Sequence, residues 1–145
     1  MPDNHVRCIY VTEDQKILCG TNGGLAVIKD GKVIKSIGKD DGIHNTEFLT
    51  VCEGDNGDIL CGSDGDGIYV ISDAENAAIV KHLGRDDGLT SDVVMRIKKD
   101  RMRDMYWIVT SNSLQYIKDG AITCVKTFPY NNNYDLYFNS LVELK

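Results

Sequence analysis

Three stretches of this 145-residue chain say nearly the same thing, and their spacing constrains the fold more than any other feature. The first is Ile17-Leu18-Cys19-Gly20-Thr21-Asn22-Gly23-Gly24-Leu25. The second is Ile59-Leu60-Cys61-Gly62-Ser63-Asp64-Gly65-Asp66-Gly67-Ile68, and the third Tyr106-Trp107-Ile108-Val109-Thr110-Ser111-Asn112-Ser113-Leu114. A shorter phrase, Asp40-Asp41-Gly42-Ile43, returns as Asp86-Asp87-Gly88-Leu89. Short apolar runs broken by glycine and Asx turns, recurring at roughly 42 to 46 residues, have the period of a four-stranded propeller blade. The chain is therefore a repeat protein.

Aligned on their first strand, the units start at Val6, Phe48, Val94 and Phe138. The first offers β-prone runs over Val6–Val11, Ile17–Gly20, Leu25–Ile28 and Val33–Ile37, separated by turn residues that tolerate positive φ. The second repeats the plan over Phe48–Cys52, Ile59–Gly62, Ile68–Ile71 and Ile79–Leu83, and the third over Val93–Ile97, Tyr106–Val109, Leu114–Ile117 and Ile122–Val125. Residues 73–78 are long enough for one helical turn, and Asp100–Met105 is too short for a stable helix, so it reads as a wide hairpin loop. The expected fold is all-β: an incomplete β-propeller over residues 1–145, with blades at about 4–43, 44–89 and 90–130 and the first strand of a fourth within 131–145. Three blades and one strand do not close a ring. The expected partners are the remaining blades of a longer parent chain, or a second copy in a homodimer. The pattern starts almost at Met1, as in a piece cut from something longer.

Charge and composition exclude several functions. The net charge is −6 and the basic residues are scattered, which disfavours nucleic acid and anionic membrane as partners. No run of about 18 apolar residues could span a bilayer as a helix, and no signal-peptide series opens the chain. The five cysteines, Cys8, Cys19, Cys52, Cys61 and Cys124, are odd in number and lack metal-ligand spacing. They read as free thiols, with Cys19 and Cys61 packed between blades. Asp64-Gly65-Asp66-Gly67 hints at calcium but lacks the alternating acids and distal glutamate of an EF-hand loop, so tandem glycine turns explain it better. No metal or cofactor is expected, no nucleophile elbow is present, and the chain is not expected to be an enzyme.

The units resemble the two-component regulator propeller repeat, whose pattern is V-x-x-I-x-x-D-x-x-G-x-L-W-I-G-T-x-x-G-L with a D-G-L connector. Val6-x-x-Ile9, Leu18-Cys19-Gly20-Thr21, Gly24-Leu25 and Asp41-Gly42-Ile43 match in the first unit. In the second, Gly57, Leu60-Cys61-Gly62-Ser63, Gly67-Ile68 and Asp87-Gly88-Leu89 match. Val94-x-x-Ile97-x-x-Asp100 and Trp107-Ile108 match in the third, which departs at Val109 and Ser113, where the family prefers glycine. The resemblance implies the sensor region of a bacterial signalling receptor, outside the cytoplasm and ahead of a histidine kinase or cyclase. In gut anaerobes such regions often respond to glycans.

In the common propeller plan, two sets of loops share one end of the ring. The connectors between blades carry His44, Asn45 and Glu47, then Ser91 and Asp92, and the loops between second and third strands carry Asn22, Asp64 and Asn112. Amides, hydroxyls and carboxylates gathered there suit a hydroxyl-rich small molecule or oligosaccharide, and these eight residues are the candidate ligand-binding set. The same residue types also serve simply as turn formers. Two alternatives stand beside the sensor: a protein-interaction scaffold, and a streptogramin-lyase-like enzyme for which His44 with Glu47 would be the starting pair.

Overall fold

The computed structural model describes residues 2–72 and 79–128. Twelve strands follow one another: β1 (Val6–Val11), β2 (Ile17–Thr21), β3 (Gly24–Lys29), β4 (Lys32–Ile37), β5 (Phe48–Glu53), β6 (Ile59–Ser63), β7 (Ile68–Ser72), β8 (Ile79–Leu83), β9 (Val94–Asp100), β10 (Met105–Thr110), β11 (Ser113–Lys118) and β12 (Ala121–Thr127). They form three four-stranded antiparallel sheets in simple sequence order, β1 to β4, β5 to β8 and β9 to β12. The protein is all-β, and its sheets are the blades of a partial propeller. The twelve strands expected within the described residues are present, eleven of them within a residue or two at each end, while β9 runs three residues past the expected Ile97; residues 101–104 form the expected turn. The expected helical turn at 73–78 and the fourth-blade strand lie outside the described residues.

The first strands β1, β5 and β9 stand side by side, so the inner edge of each sheet meets the next. The strand period of two then divides every sheet into two faces. On the first sheet, Leu18, Leu25, Val27 and Ile37 turn toward the second and pack on Phe48, Val51, Cys61 and Tyr69. On the second, Cys52, Leu60 and Ile68 take the opposite face and meet Val94, Ile97 and Ile108 of the third. Phe48, Leu25, Ile68 and Ile108 are fully buried. Each such side chain contributes about 1.5–3 kcal/mol.

The glycine shared by the first two units has a specific purpose. A Cβ on Gly62 would fall 2.6 Å from both Thr50 Cγ2 and Val94 Cγ1, and one on Gly20 would fall 3.0 Å from Val51 Cγ2. Each glycine thus lets the first strand of the following sheet come close. In the third unit Val109 holds this position, and it is buried.

The recurring Asp-Gly phrase makes the connector between sheets. Asp41 and Asp87 each accept a hydrogen bond from the backbone N–H of Gly38 and Gly84, at 2.9 and 2.8 Å, which closes a single 3-10 turn. Gly42 and Gly88 follow at φ 91° and 110°, and Ile43 and Leu89 then plug the core.

All five cysteines are free. Cys61 is fully buried between the first and second sheets, as expected. Cys19 is different. It pairs across the ladder with Ile9 and Ala26, and Ile9 is 64% exposed, so this face of the first sheet points away from the second. Cys19 is buried, although that face of the first sheet meets neither of the other two described sheets. Burial pushes the Cys8 thiol up to about 11 and raises Cys61 well above the ordinary range. Since only the thiolate reacts, alkylation of the native protein at pH 8 is expected to reach exposed Cys124 first and Cys61 last. Mass spectrometry of timed samples reads the order, and equal labelling of Cys61 and Cys124 contradicts it.

Candidate functional site

The two loop sets do meet at one end. Asn22 O accepts from Thr46 Oγ1 at 2.8 Å, Asp64 N donates to Glu47 O at 2.9 Å, and Gly67 N donates to Asp92 O at 2.8 Å. Asp64 also bridges Val93, while Ser91 and Ser111 share a hydroxyl hydrogen bond of 2.7 Å. The eight residues singled out from the sequence therefore occupy neighbouring loops, not one pocket wall.

Their side chains divide into two groups. Asn22 Oδ1 accepts from Arg7 Nε at 2.7 Å, and Asn45 Oδ1 accepts from the Glu47 backbone N–H at 3.0 Å. Ser91 Oγ accepts from Val93 N at 3.1 Å, and Asn112 Oδ1 accepts from the hydroxyls of Thr90 and Thr110 at 2.7 and 3.1 Å. Asp92 Oδ2 lies 3.1 Å from Arg85 Nε in a solvent-exposed ion pair. Those five hold the loops together. The side chains of His44, Glu47 and Asp64 are exposed and make no hydrogen bond or ion pair among the described residues. His44 and Glu47 do not bond each other either, so they do not form an acid–base pair.

The turn hydroxyls are also structural. Thr21 and Ser63 are fully buried and donate to Gly24 O and Gly67 O, both at 2.9 Å. In the third unit Ser113 replaces the positive-φ glycine, and its Oγ joins a buried chain with Thr110 Oγ1 at 2.7 Å and Thr90 Oγ1 at 2.5 Å. The departure at Ser113 thus exchanges backbone freedom for side-chain hydrogen bonds.

Two residues that sequence reasoning missed set the height of the connectors. The Tyr69 ring is buried, and its hydroxyl accepts the backbone N–H groups of His44 and Asn45 at 3.2 and 3.3 Å while donating to Asp66. Burial raises its pKa, so the phenol stays neutral and can donate. Gln115 does the same one sheet later: its Oε1 accepts from Thr90 N at 3.0 Å and its Nε2 donates to Gly88 O at 2.8 Å. Tyr69 and Gln115 occupy equivalent ladder positions, opposite Cys61 and Ile108. Ala26 fills that position in the first unit, with no polar atom to offer. Among the described residues no group of three or more His, Cys, Asp or Glu side chains is placed to hold a metal ion. No described helix is long and apolar enough to cross a membrane.

No protein-family model matches the chain, and no curated protein does. Solved structures do match. The extracellular domain assigned to the hybrid two component system BT3049 from B. thetaiotaomicron aligns at TM-score 0.70 and 17% identity, over 86% of this chain and 17% of that one. The extracellular domain assigned to the one component system BT4673 of the same organism aligns at TM-score 0.46 and 18% identity, over 80% of this chain and 22% of that one. The chain thus spans about a sixth of the BT3049 domain, and the likeness to that domain is one of fold.

Proposed function

We propose that this chain is part of a non-enzymatic ligand-sensing propeller in a bacterial signal-transduction receptor, of the two-component or cyclase kind, and that it lies outside the cytoplasm. The observation that carries the reading is the convergence of both loop sets on one end, with His44, Glu47 and Asp64 left unengaged there. Carboxylates accept and imidazole donates or accepts, so this trio matches the hydroxyls of a glycan fragment. The extracellular-domain fold of the BT3049 match supports the assignment to a receptor. The blade limits at about 4–43, 44–89 and 90–130 belong to the same reading.

The missing partner is further propeller. Ile9, Val11 and Val33 on the free face of the first sheet are 64%, 56% and 42% exposed, a row of apolar side chains that suits another blade of the parent chain or a second copy. In the intact receptor, His44→Ala and Asp64→Ala are expected to weaken the response to its inducing ligand while changing stability by less than about 0.5 kcal/mol, as exposed loop substitutions do. Reporter output and a urea melt measure the two quantities. A normal response from both variants places the ligand elsewhere.

A further inference from the structure

The three first strands line a cavity of about 370 Å³ along the inner edge of the sheets. Tyr10 and Cys8 enter it from β1, Val51 and Cys52 from β5, and Arg96 and Lys98 from β9. Two other cations at this cavity already have acidic partners. Lys99 Nζ sits 2.5 Å from Asp55 Oδ1, and Arg101 Nη2 sits 3.0 Å from Glu13 Oε1. Arg96 and Lys98 have neither a carboxylate nor a hydrogen-bond acceptor among the described residues, and Arg96 Nε is closed to solvent.

That pattern runs against the composition of the chain. Acidic residues outnumber basic ones, 22 to 16, yet Arg96 and Lys98, two positions apart on β9, stay unneutralised at this cavity. The guanidinium also lies close enough to Cys8 and Cys52 for its charge to oppose the effect of burial on both thiols. An oxyanion reaches this guanidinium at its Nη edge, whose nitrogens, unlike Nε, are not closed to solvent, and two parallel N–H bonds from that edge match two of its oxygens.

We propose that this cavity binds a small organic oxyanion, a carboxylate or a sulfate ester, held by the Arg96 fork with Lys98 adding charge and Tyr10 covering its apolar part. The site lies along the inner strands rather than on the loops, and it does not depend on the sensor reading. Binding is measured on the intact 145-residue chain by backbone amide shifts, with glucuronate, inorganic sulfate and uncharged glucose as probes.

Saturable shifts around Cys8, Val51 and Arg96 are expected with glucuronate or sulfate and none with glucose. Whichever of the two saturates identifies the anion source. Arg96→Met is expected to weaken that binding at least about tenfold, the loss of a charge-assisted pair. It is expected to leave the thermal midpoint unchanged or higher, since it removes an unpaired charge. Arg96→Lys, which keeps the charge and loses the fork, supplies a second variant and is expected to bind more weakly than the native chain. Saturation by glucose, undiminished binding in both variants, or no saturation by either anion overturns the proposal.

Discussion

Replacing Gly62 with alanine is expected to lower the stability of the protein by about 3 kcal/mol, at the upper end for overpacking a tight core. The added methyl would sit 2.6 Å from Thr50 Cγ2 and 2.6 Å from Val94 Cγ1, on two sheets at once. Both neighbours are β-branched and have few rotamers to escape into. Thr50 is further fixed because its hydroxyl accepts the Ile97 N–H at 3.2 Å across the sheet boundary. Relief therefore requires the second and third sheets to part, which loosens the cluster around Cys52 and Ile97. Gly57→Ala is the natural control. It lies at φ 79° with nothing within 4 Å of the added carbon, so only the backbone term of about 1 kcal/mol applies. Urea titrations of the two variants separate the effects, and equal losses would show that sheet spacing is not the constraint.

The second large effect is expected at Asp100. This carboxylate is fully buried and accepts from the backbone N–H groups of Met102 and Arg103 at 3.1 and 3.0 Å. It also accepts from Arg103 Nη1 at 2.7 Å and from Trp107 Nε1 at 3.1 Å. Alanine leaves the indole N–H and the turn amides without their acceptor. The Arg103 guanidinium is 62% exposed and regains water, so the ion pair itself adds little. The net loss is about 2–3 kcal/mol. Asp100→Asn keeps the shape and two of the acceptor contacts, and is expected to lose about half as much. A drop in tryptophan emission order, read as raised quenching of Trp107 by iodide, should accompany the alanine change. An unchanged melt for Asp100→Ala would mean that the turn at 101–104 holds itself.

Much of this architecture was legible before any coordinates. Strands are short, alternate in character and end at Gly or Asx, so runs such as Ile59–Gly62 and Tyr106–Val109 announce themselves. What the one-dimensional pattern could not carry is which neighbour a face meets. Cys19 and Cys61 look identical in sequence, but Cys61 has a preceding sheet to face and Cys19 has none among the described residues. The role of Tyr69 was hidden for a similar reason. Its partners His44 and Asn45 are two dozen residues earlier and belong to a connector, and nothing local links a strand tyrosine to them. The loop set itself was placed by topology alone. Its separation into side chains that tie loops and side chains that remain available required the hydrogen bonds.

The valine at position 109 has a geometric consequence. The first two sheet-to-sheet steps are set by residues without a side chain, at Gly20 and Gly62. An isopropyl group stands at the third. A layer seated on that face at the pitch of the first two steps would overlap it. The outer face of the third sheet is therefore shaped differently from those of the first two, and a first strand placed as closely as β5 and β9 are would not fit against it.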